Sequence, residues 1–294
     1  MAWLMAGEVI MSGGIFYDHL ETNGTRRLRR LARLVRFMRA MGKRVIFFGV
    51  SIGPLTSPNG RLLTREILSH ADGLWVRDAL SVAFCREAGI ECFHMPDLAA
   101  IFASRVAAMA ACPTQEALFI PCGSGLDDGT HRRAIYTLQD TMRRYGLELK
   151  LLPIETRTDR PLAQRLSYQC GIPVAMKDES DPWRLMAHIK GARLVVSGRL
   201  HGGWGAYLCG RPLIQIDYHS KCRGLADSIH LPDPCLIDRR CDADDLRRAV
   251  ALWLDSEEVH RPKLRAPEIL ENEVREAFGR LMIEMDSPGT NPKR

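Results

Sequence analysis

Short apolar runs alternate with stretches of helical period along most of the chain. Val9-Ile10-Met11 is the first apolar run and leads to the pair Gly13-Gly14. Residues 25–41 place apolar positions three and four apart, which predicts an amphipathic helix. Arg44–Val50 is almost continuously apolar and reads as a strand buried on both faces. Residues 62–70 and 78–88 read as helices, the second ending at Gly89, with the short strand Gly73–Val76 between them. Glu91–Met95 follows as a strand stopped by Pro96.

Around Ala103–Thr114 the periodicity weakens to alanines and one proline, and a domain boundary is expected there. A second series follows. Its strands are expected at Ala117–Ile120, Leu147–Leu152, Ile172–Ala175, Leu194–Val196 and Leu213–Ile216. Helices are expected near 130–145, 159–170, 181–190, 203–209 and 242–255, with a last helix over 266–286 and a frayed polar tail. Strands alternating with helices predict parallel sheets covered on both faces. The fold class is therefore α/β with two Rossmann-like lobes. The first is expected over 1–108, the second over 115–262, with a terminal helix and tail over 263–294. Two such lobes are expected to bind ligands at the carboxyl ends of their strands, in a cleft between them.

Composition agrees with a globular chain: 46% of the 294 residues are hydrophobic and 26% charged. The net charge of +6 suits anionic small substrates or a membrane surface, and is too diffuse to argue for nucleic acid. The nine cysteines form no C-x-x-C pair and follow no regular spacing, so reduced cytosolic thiols are expected rather than a disulfide framework or structural zinc. Met1–Ala6 is apolar but has no basic flank, and Glu8 interrupts it; it reads as the approach to a buried strand, not as a signal peptide. No run of about 18 apolar residues occurs.

Ser197–Gly203 carries the strongest chemical signal. It joins a strand to a helix, so it lies at a strand's carboxyl end. It supplies a fixed cation, Arg199, and a titratable group, His201. Gly202 and Gly203 would let backbone approach a ligand, and a helix start offers free N–H groups to an anion. The plain alternative is a surface ion pair, a core histidine and two packing glycines; the combination at one strand end favours the anion site. Arg77 and Asp78 occupy a similar strand-to-helix junction, where Asp78 is a natural N-cap. Gly13 and Gly14 precede Asp18 and His19, and Gly49–Pro54 closes the second strand; both read as turns or as a glycine-lined wall. Tyr218–Lys221 adds a cation after the strand Leu213–Ile216. Pro121–Gly125, Glu155 and Asp159 are smaller candidates.

Residues 26–44 hold nine basic side chains and no acid, with Leu28, Leu31, Leu34, Val35 and Met38 as an apolar stripe. This is either a core-facing helix with a solvated face or a helix that docks on anionic lipid at the inner face of the plasma membrane.

At these residues the chain resembles the polysaccharide pyruvyl transferase family. The matching pieces are Ser12–Ile15, Gly49–Leu55, Ala71–Asp78 with Ser81, Asp97, Arg199-Leu200-His201, and Pro212–Tyr218 with Lys221. Their order and spacing agree over roughly residues 8–255. The resemblance implies a fold similar to the GT-B glycosyltransferases and transfer of pyruvate from phosphoenolpyruvate to sugar hydroxyls, with no cofactor or metal. Members usually have a further strand and helix before the glycine pair, so the first lobe is expected to be shortened. Arg77, Arg199 and Lys221 are the expected donor clamp, with Gly202 and Gly203 beside it. His201 is the expected acid or base. Gly13, Gly14, Asp18 and Asp97 are acceptor-side candidates, and the acceptor would be a sugar or lipid-linked oligosaccharide. A nucleotide-sugar glycosyltransferase of the same fold, or a non-catalytic glycan-binding member, are the alternatives. The first would need an acid for ribose, for which Glu155 and Asp159 are candidates.

Overall fold

The computed structural model describes residues 7–18, 25–123, 125–176, 179–255 and 263–286. The expectations for Met1–Ala6, His19 and the polar tail lie outside these residues. The chain divides into two compact units, Met1–Leu98 with Glu273–Arg294, and Ala99–Asn272.

The first unit is built on a parallel sheet of β1 (Glu8–Phe16), β2 (Arg44–Ile52), β3 (Gly73–Val76) and β4 (Phe93–His94), in that spatial order. Helices α1 (Arg26–Ala40), α2 (Pro58–Ser69) and α3 (Ala79–Ala88) connect the strands. Val45 to Phe48, Val50 and Ile52 are all buried, as their continuous apolar run requires. Ser57 caps α2 through the Gly60 amide (2.9 Å). Asp78 caps α3 by accepting from the Ser81 amide (2.8 Å) and hydroxyl (2.7 Å). The same Ser81 hydroxyl accepts from the Ile52 amide (2.7 Å), which ties the end of β2 to the start of α3.

The glycine pair is not a turn after the first strand. Gly13 and Gly14 lie inside β1, where the pairing with β2 slips on either side of Gly13. Gly13 has φ +96°, a conformation open to glycine, and this bulge lets the strand run on to Phe16.

The second unit carries α4 (Ala103–Ala107), β5 (Glu116–Ile120), α5 (Asp128–Arg144), β6 (Glu148–Leu151), α6 (Asp159–Cys170), α7 (Pro182–Gly191) and β7 (Leu194–Ser197). It continues with α8 (Leu200–Leu208), β8 (Leu213–Asp217), α9 (Ser220–Ile229), β9 (Leu236–Asp238) and α10 (Ala243–Leu254). Its parallel sheet has the order β6-β5-β7-β8-β9. Ile172–Ala175, expected as a strand, forms one isolated bridge, Val174 to Leu151. Helix α9 and strand β9 were absent from the expected elements; β9 has three residues, too few to show a period.

Two boundaries differ from expectation. The alanine-rich segment after Leu98 belongs to the second unit. Ala103 and Val106 are buried there, and the Lys190 ammonium donates to the carbonyls of Val106 (2.7 Å), Ala107 (2.9 Å) and Met109 (2.7 Å). A cation thus closes the helix end that its sequence leaves open. The last helix, α11 (Pro267–Asp286), returns to the first unit from Glu273 onward. Phe278 packs on Phe48 with ring centroids 4.7 Å apart, and Arg44 donates to the carbonyls of Glu284 (2.9 Å) and Met285 (3.3 Å).

Lys190→Met should remove the shared ammonium donor from these three carbonyls, of which Val106 also accepts from the Met109 amide (3.1 Å). The expected cost is about 1–3 kcal/mol, read as a lower urea midpoint together with faster amide exchange at the end of α4. An unchanged midpoint and unchanged exchange would show that the ammonium does not hold this segment.

Candidate active site

In the second sheet the strand order reverses between β5 and β7, so the connections leaving their carboxyl ends run in opposite directions. Such a switch point opens a crevice at the carboxyl edge, the usual ligand site of open α/β sheets. Ile120 pairs with Ser197 at this edge. The loops that follow are therefore Pro121-Cys122-Gly123 on one side and Gly198-Arg199 on the other.

Asp159 organises the edge. It is fully buried, at the first position of α6. Its carboxylate accepts from the Arg199 Nε (3.1 and 2.9 Å to the two oxygens), from the terminal guanidinium nitrogen Nη2, from the Gly123 amide (3.0 Å) and from the Glu155 amide (3.1 Å). The same Nη2 also donates to the Thr158 hydroxyl oxygen (2.7 Å). Burial works against the charge on Arg199, but the Asp159 carboxylate outweighs it and holds the guanidinium above its ordinary pKa. Glu155 is drawn from 4.5 to about 2, first by the Thr158 hydroxyl and then by the Arg157 and Thr158 amides.

Arg199 is also the N-cap residue of α8, in extended conformation, and no side chain caps the helix. The Ser197 hydroxyl braces the turn by donating to the Arg199 carbonyl (2.7 Å) and accepting from its amide (3.1 Å). The first turn of α8 therefore presents N–H groups and the positive end of the helix dipole at the crevice edge. His201 is exposed in that first turn, while Leu200 and Gly202–Leu208 are buried.

Gly202 and Gly203 serve packing rather than close ligand approach. A Cβ on Gly202 would lie 2.5 Å from Ser197 Oγ and 2.8 Å from Ile120 Cδ1. One on Gly203 would lie 2.2 Å from Gln215 Oε1. The helix sits so close to β5, β7 and β8 that neither position has room for a side chain.

Lys221 lies in the first turn of α9, which His219 caps by accepting from the Lys221 amide (3.2 Å). Its ammonium stands 5.3 Å from the centre of the Tyr218 ring. The Tyr218 phenol is buried beside Cys122 and near Arg199; burial first, and the neighbouring thiols next, push its pKa far up. It stays protonated across the physiological range. The structure thus gathers Arg199, His201, Tyr218 and Lys221 on the carboxyl edge of one sheet. Sequence reasoning placed Tyr218 beside the Arg199 turn and weighed Asp159 as a smaller candidate and a ribose ligand, but missed Asp159 as the partner of Arg199. Its place at a helix start after Thr158 was the available signal.

The candidates of the first unit have internal partners. Asp18 is buried, and its oxygens accept from the Thr56 amide (2.6 Å) and hydroxyl (2.9 Å) and from the Ser57 amide (2.9 Å) and hydroxyl (2.6 Å). Burial pulls its pKa up, but these bonds together hold it below the ordinary carboxylate value. That makes Asp18 a clamp on the loop after β2 and a poor base. Arg77 donates to Ser51 Oγ (2.6 Å) and Asp97 Oδ2 (2.6 Å), with both charged side chains largely buried. Its Nη2 lies 3.7 Å from where a Cβ on Gly14 would stand, and nothing lies within 4 Å of the corresponding point on Gly13. The side-chain-free stretch of β1 thus runs beside the guanidinium.

The comparisons with known proteins agree with this architecture. The sequence profile of polysaccharide pyruvyl transferases matches residues 5–220. The chain belongs to the polysaccharide pyruvyl transferase family. A search of curated proteins found no match. Among solved structures, UDP-GlcNAc 2-epimerase from Methanocaldococcus jannaschii, in complex with UDP-GlcNAc and UDP, is similar with a TM-score of 0.61. It is 10% identical, and the match covers 95% of this chain and 76% of that one. The UDP-forming α,α-trehalose-phosphate synthase of Burkholderia vietnamiensis matches with a TM-score of 0.54 at 11% identity, over 91% of this chain and 81% of that one. A third solved structure, described as trehalose-6-phosphate from E. coli bound with UDP-2-fluoro glucose, gives 0.58 at 12% identity, over 95% and 70%. These neighbours place the pyruvyl transferase family member in the GT-B fold. Among the described residues, no group of three or more His, Cys, Asp or Glu is placed to hold a metal ion, and no helix is long and apolar enough to cross a membrane.

Asp159→Ala should strand a largely buried cation and two backbone donors. The expected loss is about 3–5 kcal/mol of stability, measured by urea unfolding, with a smaller loss for Asp159→Asn. A loss below about 1 kcal/mol, the range of exposed ion pairs, would contradict the organising role of Asp159.

Proposed function

We propose that this pyruvyl transferase family member transfers the pyruvyl group of phosphoenolpyruvate to two hydroxyls of a sugar acceptor, forming a ketal. The observation that carries the reading is the Arg199–His201 turn at the switch point of the second sheet. A cation, an uncapped helix start and an exposed histidine converge there, and Lys221 stands on the next helix start. Phosphoenolpyruvate brings a carboxylate and a phosphate, and both suit such an edge.

The chemistry needs a proton added at C3 of the enol, which makes C2 electrophilic. One sugar hydroxyl adds at C2, phosphate leaves, and the second hydroxyl closes the ring. Of the two hydroxyl protons, one matches the proton gained at C3 and the other leaves with phosphate. His201 is the group that moves a proton, because imidazole serves as acid and base near neutrality. Arg199 and helix N–H groups stabilise the charge that develops on the donor. Asp18, saturated by hydrogen bonds, has no part as a base.

A nucleotide sugar at the same edge is the second reading, prompted by the UDP-sugar complexes of the structural neighbours. Asp159 is committed to Arg199 and cannot hold a ribose, which leaves Glu155. That carboxylate already accepts from the Arg157 and Thr158 amides.

The acceptor in this reading is a sugar of a cell-surface polysaccharide, or its lipid-linked precursor at the inner face of the plasma membrane, met through helix α1. Leu34, Phe37 and Met41 are 41%, 49% and 52% exposed, and stand three and four residues apart on one face. Arg26, Arg30 and Arg33 are exposed around them. An exposed apolar stripe flanked by arginines suits the interface of an anionic bilayer.

With phosphoenolpyruvate and a panel of lipid-linked or nitrophenyl sugars, the protein should release phosphate and add pyruvate to one acceptor, read by mass. His201→Ala should abolish transfer while the circular dichroism spectrum stays unchanged. Near-normal turnover in that variant would sink the assignment, and turnover of a nucleotide sugar instead would favour the second reading. Replacing Arg30 and Arg33 with Ala should weaken binding to phosphatidylglycerol vesicles by roughly ten- to thirtyfold, at about 1 kcal/mol per basic residue. Equal sedimentation of the variant and parent with vesicles would remove α1 as the docking face.

A further inference from the structure

Two thiols meet in the first unit, and the proposed reaction uses neither. Cys85 lies in the last turn of α3, fully buried in the apolar core of this unit. Cys92, just before β4, is half-buried and packs against the same core. Both are free cysteines. The turn between them brings them together. Gly89 ends α3 with φ +67°, and its amide donates to the Arg86 carbonyl (3.2 Å). The Ile90 amide donates to the carbonyl of Cys85 itself (2.9 Å). This paired closure turns the chain back at the helix end. Cys92 thereby returns to Cys85, and the two thiols stand within hydrogen-bonding reach. The same crossover is closed at its other end, where Arg77, before α3, donates to Asp97, after β4 (2.6 Å). Between these ends β4 has only two residues, Phe93 and His94, paired with Trp75 and Val76 of β3. An edge strand with so few ladder bonds opens easily.

We propose that Cys85 and Cys92 form a reversible disulfide on exposure to hydrogen peroxide, and that this bond staples α3 to the edge strand β4. Cys92 is the accessible partner, so it meets the oxidant first. Its sulfur takes one oxygen from the peroxide, the O–O bond breaks and water leaves, which makes the thiol a sulfenic acid. The Cys85 sulfur then attacks the Cys92 sulfur. The S–S bond forms, the S–O bond breaks, and the Cys85 proton leaves with the hydroxyl as a second water. The two thiols lose two electrons in all, and the peroxide gains them. Burial first, and the Cys92 sulfur next, push the Cys85 thiol up to about 12, so it stays protonated and does not react with peroxide directly. Contact with Cys92 makes up for its low thiolate fraction, because the second step is intramolecular. A dithiol reverses the bond by exchange. The bridge closes an eight-residue loop, 85–92, at the end of the crossover opposite the Arg77–Asp97 pair. This inference concerns the first unit alone and is independent of the transfer reaction.

The test is peptide mapping of the unmodified chain. Trypsin cuts after Arg77, Arg86 and Arg105, which puts Cys85 and Cys92 on separate peptides, 78–86 and 87–105. The protein is treated with a small molar excess of hydrogen peroxide, its remaining thiols are blocked, and it is digested without reductant. Mass spectrometry should find the two peptides joined, lighter than their sum by two hydrogens, and dithiothreitol should separate them again. Oxidation should also slow exchange of the Met95 amide, which donates to the Val76 carbonyl (2.9 Å) at the end of β4, by about tenfold or more. Cys92→Ser, at a half-buried position, should keep the fold and lose both effects. The proposal is overturned if peroxide leaves the two peptides separate, if Cys92 accumulates as sulfinic acid, or if it joins the exposed Cys112 instead. It is equally overturned if the bridged protein exchanges the Met95 amide at the rate of the reduced one.

Discussion

The buried carboxylate of Asp159 is the constraint on which the second unit's site depends. One side chain accepts from the loop after β5, from the loop before α6 and from the arginine after β7. Three loops that leave the sheet separately are thereby fixed to a single point. A buried ion pair of this kind is weak evidence for stability, because desolvation offsets much of the attraction. What it supplies is position: the guanidinium is held at the carboxyl edge with its charge fixed, and α8 begins from the residue that bears it.

The second constraint is steric. Helix α8 lies against β5, β7 and β8 with no room for a Cβ at Gly202 or Gly203. Almost all of the helix is buried, so its exposed histidine in the first turn stands apart from the pattern. Gln215, buried beneath, donates to the Ser197 carbonyl (3.0 Å) and helps fix the strand end from which the turn springs. The rigid support lies under the turn, and the reactive candidate lies on top of it. This is the arrangement that a preorganised anion site needs.

The first unit shows the same economy with a different outcome. Asp18, Arg77 and Asp97 are polar groups at strand ends, like those of the second unit. Here hydrogen bonds to Thr56, Ser57, Ser51 and each other use their polar atoms to brace loops. The chemistry of a residue type is therefore a poor guide to its role until its partners are known. The return of α11 to this unit adds a wall beside β4 and encloses a cavity over Trp75 that neither segment would form alone.

The sequence by itself determined the α/β class, the run of parallel strands and the family. Continuous apolar runs such as Arg44–Val50 can be buried only between two layers, and the ordered motifs from Ser12 to Lys221 span both sheets. It also singled out the Arg199–His201 turn, because a cation, a histidine and a strand-to-helix junction are local features. Tertiary structure alone decided the rest. That Asp159 holds Arg199 depends on two residues forty positions apart meeting at a switch point. That Gly202 and Gly203 face Ile120, Ser197 and Gln215 depends on how closely a helix seats on its sheet. That the last helix belongs with the first unit depends on Arg44 and Phe48 finding their partners more than two hundred residues away. Periodicity and spacing report what one element does along the chain; hydrogen-bond partners and close packing belong to pairs of elements, and only the fold brings those pairs together.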